Sequence, residues 1–340
     1  MRPGRMVTMV MVVALLGLLA GGALQPSQTY AESKPIEITF STYWPTSYGY
    51  LWEPIVSFAQ KVEKQSKGRI KFKLYHTGQL FKGKEEFAAL ARGDIDMSAP
   101  LDIYNTGIVA ELGISSLPFM WEKIESLQKS LDAGLWDLGI NQKLLKHNVV
   151  VLGVAAGGPY QFYTKKKPIL QPDDMKGLKF GVSGSTASKA TELLGGSPTT
   201  MSSGELYMAL QRGTIDGCTR PTITGIGRKL YEVVKHFSVA NMYYYCSFLS
   251  VNKRKWDSLP GDIREIMKKV AKERDQEQVQ KAQEFIKKGV ELYKEKGVEV
   301  HILSSTQLAK FKEKMEPVYA WWLKKVPTGN KYIEFVKAHH

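Results

Sequence analysis

The chain has 340 residues, a hydrophobic fraction of 43% and a formal net charge of +14. This length is sufficient for two domains. The lysines are scattered over polar positions, so we interpret the charge as a solvated surface and expect no binding to nucleic acid. Two cysteines, Cys218 and Cys246, make no disulfide framework, and the sequence leaves open whether they pair or remain buried free thiols.

The first 31 residues predict a cleavable secretory signal peptide. Arg2 and Arg5 form a basic start, an apolar stretch follows at 6–24, and small residues surround a cut after Ala31. No cysteine follows the apolar stretch, which excludes lipid attachment at a new N-terminal cysteine. We therefore expect a mature chain that begins at residue 32 and functions in the periplasm. A retained membrane anchor is the alternative.

Strands and helices alternate in the next part of the chain. Apolar and polar residues alternate at 36–40 and again at 70–74, which is typical of half-buried strands. Between them, the apolar residues at 51–62 have the spacing of one helix face. A continuous apolar run at 149–154 predicts a strand covered on both faces by helices. The alternation predicts an α/β fold with helices packed on mostly parallel sheets.

Two stretches, 85–97 and 205–217, are near copies of each other. Each combines a helix carrying an Ala-Leu pair, an Arg-Gly stop, and a short strand that starts with Ile-Asp. The glycine suits a left-handed helix end and the arginine suits the negative end of the helix dipole. Two similar lobes would explain the repetition. Chance similarity of a common helix–stop–strand pattern is the alternative.

Helical spacing continues without a break over 262–296, which predicts one unusually long helix. At 1.5 Å per residue such a helix spans roughly 50 Å, more than a small domain. Its apolar positions do not keep a strict heptad. We therefore expect a helix that braces two lobes rather than a projecting coiled coil.

Motifs for catalysis, cofactors and metals are lacking or incomplete. None of the six histidines has a metal-ligand spacing, and no G-x-S-x-G elbow occurs. Residues 78–84 match G-x-x-x-x-G-K, but Glu85 follows where a phosphate loop needs Ser or Thr. Asp94, Asp96 and Asp216 are interpreted as structural caps. We expect no enzymatic activity, no cofactor and no metal site.

Several motifs, taken together, resemble the extracytoplasmic solute-binding subunit of TRAP (tripartite ATP-independent periplasmic) transporters, the DctP-like family. They occur in the family's order and extend over nearly the whole chain after residue 31. They are Lys-Gly-Arg-Ile at 67–70, Gly-Gln-Leu at 78–80, Gly-Asp-Ile-Asp-Met at 93–97, Leu-Pro-Phe at 117–119, Asp-Asp-Met-Lys-Gly-Leu-Lys at 173–179, Tyr-Met-Ala-Leu-Gln-Arg-Gly at 207–213, Ile-Asp-Gly at 215–217 and Tyr-Glu-Val at 231–233.

The resemblance implies a two-lobed, type II-like periplasmic binding protein with hinge strands and a long helix spanning both lobes. The first lobe is expected at 32–156, completed by about 246–285, and the second at 157–245, completed by about 286–340. The resemblance also implies closure of the lobes on a small organic solute, followed by docking on the membrane subunits of a TRAP permease. We expect the protein to act as a monomer.

The sequence departs from the family at the expected solute pocket. The resemblance places a carboxylate-binding arginine at position 181, but this chain has Gly181, and a second family arginine is replaced by Gln161. Arg220 stands where the family carries asparagine. We hypothesise that Arg220 takes over as the carboxylate partner, because its planar fork matches two carboxylate oxygens. A structural ion pair with a protein acid is the alternative.

Aromatic residues are concentrated near the same pocket, which favours a flat or apolar solute. With Gly181 opening space, an aromatic or other apolar carboxylate is the first expectation, and a neutral or cationic solute held over aromatic rings is the second. A periplasmic enzyme and a ligand sensor on the same scaffold are further alternatives. The candidate ligand-binding residues are Tyr43, Trp44, Tyr48, Leu101, Tyr104, Tyr160, Gln161, Gly181, Ser183, Ser203, Arg220 and Tyr244.

Overall fold

The computed structural model describes residues 34–339. Two separate sheets organise these residues, and each sheet with its helices forms one lobe. The predicted signal peptide at 1–31 lies outside the described residues. Within the described part, no helix combines the length and apolar character needed to cross a bilayer.

The first lobe is built on a five-stranded sheet. Its strands, in spatial order, are β2 (Ile70–Tyr75), β1 (Ile36–Ser41), β3 (Met97–Ser98), β10 (Tyr245–Asn252) and β4 (Val149–Gly157). Strand β1 runs parallel to β2 and β3, with Ile38 opposite Phe72. The alternating patterns at 36–40 and 70–74 are thus confirmed as strands.

The second lobe is built on a six-stranded sheet. Its strands, in spatial order, are β11 (Glu299–Ile302), β9 (His236–Val239), β5 (Tyr160–Thr164), β8 (Gly217–Pro221), β6 (Lys179–Val182) and β7 (Ser197–Thr200). Strands β6, β7 and β8 are mutually parallel, as are β9 and β11. The α/β fold class is therefore confirmed.

The prediction of mostly parallel sheets is wrong in one respect. Strand β10 pairs antiparallel with β3 and β4, and β5 pairs antiparallel with β8 and β9. Both strands lie directly next to the places where the chain crosses between lobes, at 158–159 and 240–244. A strand that carries the chain from one lobe into the other runs antiparallel to the neighbouring strands of the sheet it joins. The connections between the lobes therefore make both sheets mixed.

The helices surround the two sheets. They are α1 (Gly49–Gln65), α2 (Glu86–Arg92), α3 (Ile124–Asp132), α4 (Ile140–Lys146), α5 (Gly184–Leu193), α6 (Leu206–Gln211), α7 (Thr222–Gly227), α8 (Lys253–Ser258), α9 (Gly261–Glu295), α10 (Ser305–Lys325) and α11 (Gly329–His339). The start of α10 is fixed by a capping box, in which Ser304 and Gln307 bond reciprocally to each other's backbone N–H.

Helix α9 confirms the predicted long helix, with 35 residues in one unbroken segment. It packs on α1 and β4 of the first lobe and on α7 and β11 of the second. Lys281 forms an ion pair with Glu53 on α1. Near the other end of the helix, the hydroxyl of Tyr293 bonds to Tyr163 and to the carbonyl of Thr222. The helix therefore joins both lobes along its length.

The two near-copies in the sequence have the same structure in the two lobes. Helices α2 and α6 are followed by Gly93 and Gly213, both with positive φ, as the left-handed stop requires. Asp96 accepts a bond from the backbone N–H of Thr39, and Asp216 accepts one from that of Lys179. Both aspartates thus tie the incoming chain to a neighbouring strand, in agreement with the structural role expected of them.

The C-terminal helices contact both lobes. Helix α11, within the part assigned to the second lobe, packs against α3 of the first lobe and buries Tyr332 and Val336. Helix α10 contacts α5 of the second lobe. The segment at 305–339 thus continues back across to the first lobe.

Cys218 and Cys246 are buried free thiols on β8 and β10, in different sheets. Burial raises the pKa of Cys218 to about 12 and that of Cys246 well above its ordinary value, so thiolate is scarce at neutral pH. We therefore expect neither thiol to react with a thiol reagent until the protein is unfolded. We also expect reductant to leave the melting temperature unchanged. Rapid labelling of native protein would contradict this prediction.

Candidate functional site

The two lobes meet at a cleft formed by chain segments that follow strands. From the first lobe, the segments after β1 and β3 contribute Tyr48 and Tyr104. Their hydroxyls meet Ser203 of the second lobe: that of Tyr48 donates to Ser203 Oγ at 3.2 Å, and that of Tyr104 accepts from Ser203 N at 3.1 Å. Tyr48 and Ser203 are both 1% exposed. The structure therefore shows the lobes in contact across the cleft.

Two cations complete the contact between the lobes. Lys84 Nζ, in the first lobe, donates to the carbonyl of Thr200 at 2.7 Å. Arg228 Nη2, in the second lobe, donates to the carbonyl of Tyr43 at 3.0 Å, and Arg228 Cζ lies 5.5 Å from the ring centroid of Tyr48. Sequence reasoning missed both residues. Lys84 ends the G-x-x-x-x-G-K match at 78–84, which was not interpreted as a binding motif, and Arg228 follows α7 without a motif, so only the fold brings them to the cleft.

Arg220 lies on β8 and is 1% exposed. Its Nη1 donates to the carbonyls of Thr219 and Gly181, and its Nη2 to those of Val182 and Met201, at 2.6–3.3 Å. The buried Nε–H has no partner among the described residues. No carboxylate pairs with Arg220 among residues 34–339, so the alternative of a structural ion pair is not supported by the contacts of this part of the chain.

The cleft carries more positive than negative charge. Neither Lys84 nor Arg228 forms an ion pair with an acid in the described part of the chain, and the Nε–H of Arg228 is also buried without a partner. Burial lowers the pKa of Lys84, and Arg220 nearby acts in the same direction. Arginine remains protonated in proteins. Three basic groups therefore lie around the cleft, two of them permanently charged.

Two acids lie close to these groups. Burial opposes ionisation of Glu205, but its hydrogen bonds from the backbone and hydroxyl of Ser202, together with Lys84, lower its pKa overall. Burial is the largest effect on Glu86 and raises its pKa well above its ordinary range. Burial thus favours the neutral form of Glu86, and the three basic groups outnumber the two acids, so the net charge of the cleft is positive.

Tyrosine rings form the aromatic part of the site. Tyr43 and Tyr104 have ring centroids 5.6 Å apart, and Tyr160 lies 4.7 Å from Tyr243 and 6.0 Å from Tyr245. Burial raises the pKa of Tyr43 and Tyr160 well above their ordinary values, so both phenols stay neutral. Neutral phenols can donate hydrogen bonds to an anionic solute as well as pack against apolar parts of it.

Three other candidates near the cleft lie beside the tyrosines or beside the turn that carries one of them. Ser183 is buried at the start of α5 beside the phenol of Tyr160. Trp44 is completely buried, 6.4 Å edge-on from Tyr43, and its indole N–H has no partner in the described chain. Leu101 pairs with Ser247 in an isolated bridge immediately before the short helical turn that carries Tyr104.

Gln161 and Tyr244 have other contacts than expected. The side-chain oxygen of Gln161 accepts from the backbone N–H groups of Ala240 and Asn241, and its nitrogen donates to the Asn241 side chain. The hydroxyl of Tyr244 donates to the carbonyl of Glu122. Side chains alternate between the two sides of an extended chain, so the neighbours of Tyr244, Tyr243 and Tyr245, are the ones that reach Tyr160.

The expectation that Gly181 leaves open space is wrong. A Cβ at this position would lie 2.9 Å from Ile215 Cδ1, 3.0 Å from Leu206 Cδ2 and 3.3 Å from Met201 Sδ. The space beside Gly181 is thus filled by apolar side chains. The carbonyl of Gly181 instead helps to hold Arg220 in place.

A pocket of about 560 Å³ opens beside Tyr104. It lies between loops of the first lobe and the start of α5 in the second lobe. Its lining residues are Lys84, Tyr104, Thr106, Gly107, Gly184, Ser185, Ser188, Lys189, Glu192, Thr200 and Trp321. The pocket shares Lys84 and Tyr104 with the contacts between the lobes, so it is the side opening of the cleft.

Comparisons with known proteins agree on one family. The model of the bacterial extracellular solute-binding proteins, family 7 (DctP), matches residues 40–325. The C4-dicarboxylate-binding periplasmic protein DctP of Rhodobacter capsulatus is 30% identical over 284 residues, which cover 83% of this chain and 84% of that protein.

Solved structures share the fold. A TRAP periplasmic solute-binding protein from Ralstonia eutropha, with bound (S)-2-acetolactate, has a TM-score of 0.83 at 26% identity and covers 89% of this chain and 99% of its own. A Bordetella pertussis extracytoplasmic solute receptor that binds pyroglutamic acid has a TM-score of 0.84 at 22% identity, with the same coverage. These similarities confirm the predicted two-lobed periplasmic binding fold.

Proposed function

The chain belongs to the DctP family, family 7 of the bacterial extracellular solute-binding proteins, and we propose that its solute is an organic carboxylate with an aromatic or other apolar body. The family provides the extracytoplasmic solute-binding component of TRAP transporters and works with their permease. The protein therefore has a transport role, capturing a small organic solute for a membrane permease.

The observation that carries the carboxylate proposal is the unpaired positive charge of the cleft. Arg220 and Arg228 each keep a buried Nε–H without a partner in the part of the chain that the structure describes. Buried polar groups in native proteins nearly always have a partner, and a buried charge without one is costly. A solute carboxylate between the lobes would provide an acceptor for these donors. The relatives named for C4-dicarboxylate, sialic acid and pyroglutamate also take carboxylate-bearing solutes.

The apolar body of the solute is proposed from the tyrosine rings. Tyr43, Tyr104 and Tyr160 together present aromatic surface beside the basic groups, and Tyr48 adds a further ring under Arg228. A solute ammonium group would meet the same rings but also three basic side chains. The charge of the cleft therefore disfavours the cationic alternative.

A thermal-shift series with matched compounds tests this proposal. Benzoate, benzamide and benzylamine share a ring and differ in the group attached to it, and succinate and a sugar acid extend the series. A bound ligand at about 100 times its dissociation constant stabilises by roughly 2.7 kcal/mol, which for this size raises the melting midpoint by about 3–5 °C. We expect a shift with carboxylates only, and a larger one with aromatic than with compact acids.

Other outcomes of the series have distinct meanings. A shift with benzylamine or benzamide alone would contradict the carboxylate proposal and leave the transport role unchanged. A larger shift with succinate than with benzoate would contradict only the apolar body. Chemical conversion of any compound by the purified protein would contradict the expectation that it has no enzymatic activity.

Three further proposals concern the form of the protein. We propose cleavage after Ala31, a monomer in solution, and no affinity for nucleic acid. The basic and apolar pattern at 2–24 supports the first, and the scattered lysines support the last. N-terminal sequencing of exported protein, size-exclusion chromatography and a nucleic-acid gel shift test them separately.

A further inference from the structure

Three potential metal ligands converge on the second lobe, away from the cleft. His236 lies on β9, and Glu299 and His301 lie on the neighbouring edge strand β11. Strand β5 separates β9 from β8, the strand of Arg220. The spacing of the sequence hides this cluster, because 65 positions separate the two histidines.

Strand geometry explains why the three side chains meet. Glu299 pairs directly with His236 in the parallel register, so both side chains project from the same face of the sheet. Glu299 and His301 are two positions apart on one strand, and residues two apart also share a face. Any close approach of β9 and β11 in this register therefore brings all three groups together.

The distances match those of a metal site. His236 Nδ1 lies 3.3 Å from Glu299 Oε2 and 3.4 Å from His301 Nε2, and the remaining pair is 3.8 Å apart. Zinc–nitrogen and zinc–oxygen bonds are about 2.0–2.2 Å, so neighbouring ligands of a tetrahedral ion lie about 3.3–3.5 Å apart. The cluster thus already has nearly the separation that one ion requires.

The exposure of the cluster leaves an open coordination position. His236 is 7% exposed, whereas the side chains of Glu299 and His301 are 67% and 27% exposed. The buried imidazole would anchor the ion, and water would complete its coordination from the solvent side. Two imidazoles and one carboxylate suit zinc and similar transition metals, whereas magnesium and calcium prefer all-oxygen sites.

We propose that His236, Glu299 and His301 bind a divalent transition-metal ion of the zinc type. The bound ion links the edge strand β11 to β9 and so fastens the chain that follows the long helix α9 to the second lobe. The site is independent of solute capture, since none of its residues lies in the cleft.

Isothermal titration of the purified, chelator-treated protein with Zn²⁺ tests the proposal. We expect one saturable Zn²⁺ site, and we expect its affinity to fall at least about 10- to 100-fold in His301→Gln. Loss of a group that only hydrogen-bonds to a metal ligand already lowers metal affinity by this factor, and His301 is itself a proposed ligand. Glu299→Gln provides a second variant, on an exposed side chain that tolerates substitution. Ca²⁺ is expected to give no saturable binding.

Two control variants separate this site from other histidines. His76→Gln removes a histidine outside the cluster, and the double variant His339→Gln, His340→Gln removes the histidine pair at the end of the chain. Both controls are expected to bind Zn²⁺ with unchanged affinity. Unchanged affinity in both His301→Gln and Glu299→Gln, or loss of the site in the terminal double variant, would overturn the proposal.

Discussion

Replacement of Arg220 by methionine is expected to weaken carboxylate binding by about 10- to 100-fold. Methionine keeps much of the side-chain length but removes the charge and all donors. A hydrogen bond to a charged group contributes about 1.5–3 kcal/mol, which corresponds to this range of affinities. Isothermal titration of the folded variant with the best acid from the thermal-shift series measures the change.

The existing contacts of Arg220 determine how the result is interpreted. Its two terminal nitrogens hold four backbone carbonyls, so methionine also removes bonds between β6, β8 and the residue at 201. The variant is therefore expected to be less stable, and its melting curve must show a folded population before affinity is measured. Arg220→Lys keeps the charge and loses the planar fork, so intermediate affinity is expected.

Two further variants complete the comparison. Arg228→Met removes the other permanent charge of the cleft and is expected to weaken carboxylate binding as well. Arg254→Met, on the outer side of the first lobe, removes an arginine that donates to the carbonyl of Arg92 and serves as the control. Carboxylate affinity within about twofold of the unsubstituted protein in Arg220→Met would show that Arg220 is only structural.

The fold was largely predictable because its signals are local and periodic. The strands at 36–40 and 70–74, the helix stops at Gly93 and Gly213, and the long helix each depend on residues close together in sequence. Amphipathic spacing and glycine at a left-handed position reflect backbone geometry and burial, which act over a few residues. The mixed sheets were not predictable in this way, because strand direction depends on where the chain crosses between lobes.

The composition of the cleft was predictable only in part. Tyr48, Tyr104 and Ser203 were predicted and meet in the structure. Lys84 and Arg228 were missed, because their partners Thr200 and Tyr43 lie 116 and 185 positions away along the chain. A long-range contact from a side chain to a distant backbone carbonyl leaves no local signal in one sequence.

The surroundings of two positions near the cleft depend on tertiary structure. The side chain of the predicted Tyr244 lies on the opposite side of the chain from those of Tyr243 and Tyr245. In an extended chain, a shift of one residue moves a side chain to the other face. Gly181 was interpreted as free space, but the volume of a missing side chain is available to neighbours that pack into it. The face of the chain on which a side chain lies, and the filling of space beside a glycine, are both decided by tertiary structure.

Replacement of Asp102 by asparagine is expected to change the pH dependence of stability. Asp102 is completely buried directly after β3, and burial raises its pKa to about 7 despite hydrogen bonds from Ser115, Cys246 and the backbone of Ile103. Cys246 is the titratable neighbour on β10, and burial keeps it neutral. The ordinary value for aspartate is 3.8.

The sign of the effect follows from the raised pKa. The folded protein binds this proton more tightly than the unfolded chain does, so the stabilisation is complete below pH 3.8 and is lost as the pH rises through about 7. Between pH 5 and 7 the loss from this one group is about 2 kcal/mol, at roughly 1.4 kcal/mol per pH unit. Asparagine is neutral throughout and resembles the protonated acid in shape.

Urea unfolding of the solute-free protein and of Asp102→Asn at several pH values measures this contribution. The stability of the variant relative to that of the unsubstituted protein should rise by about 2 kcal/mol between pH 5 and pH 7. Other buried acids, such as Asp275 with a pKa raised to about 6, affect both proteins equally and cancel in the difference. The exposed substitution Asp257→Asn should give a curve parallel to that of the unsubstituted protein. If the stability of Asp102→Asn also varied with pH in parallel with that of the unsubstituted protein, Asp102 would already be ionised in the folded state. The buried carboxylate would then need a compensating partner that its present neighbours do not provide.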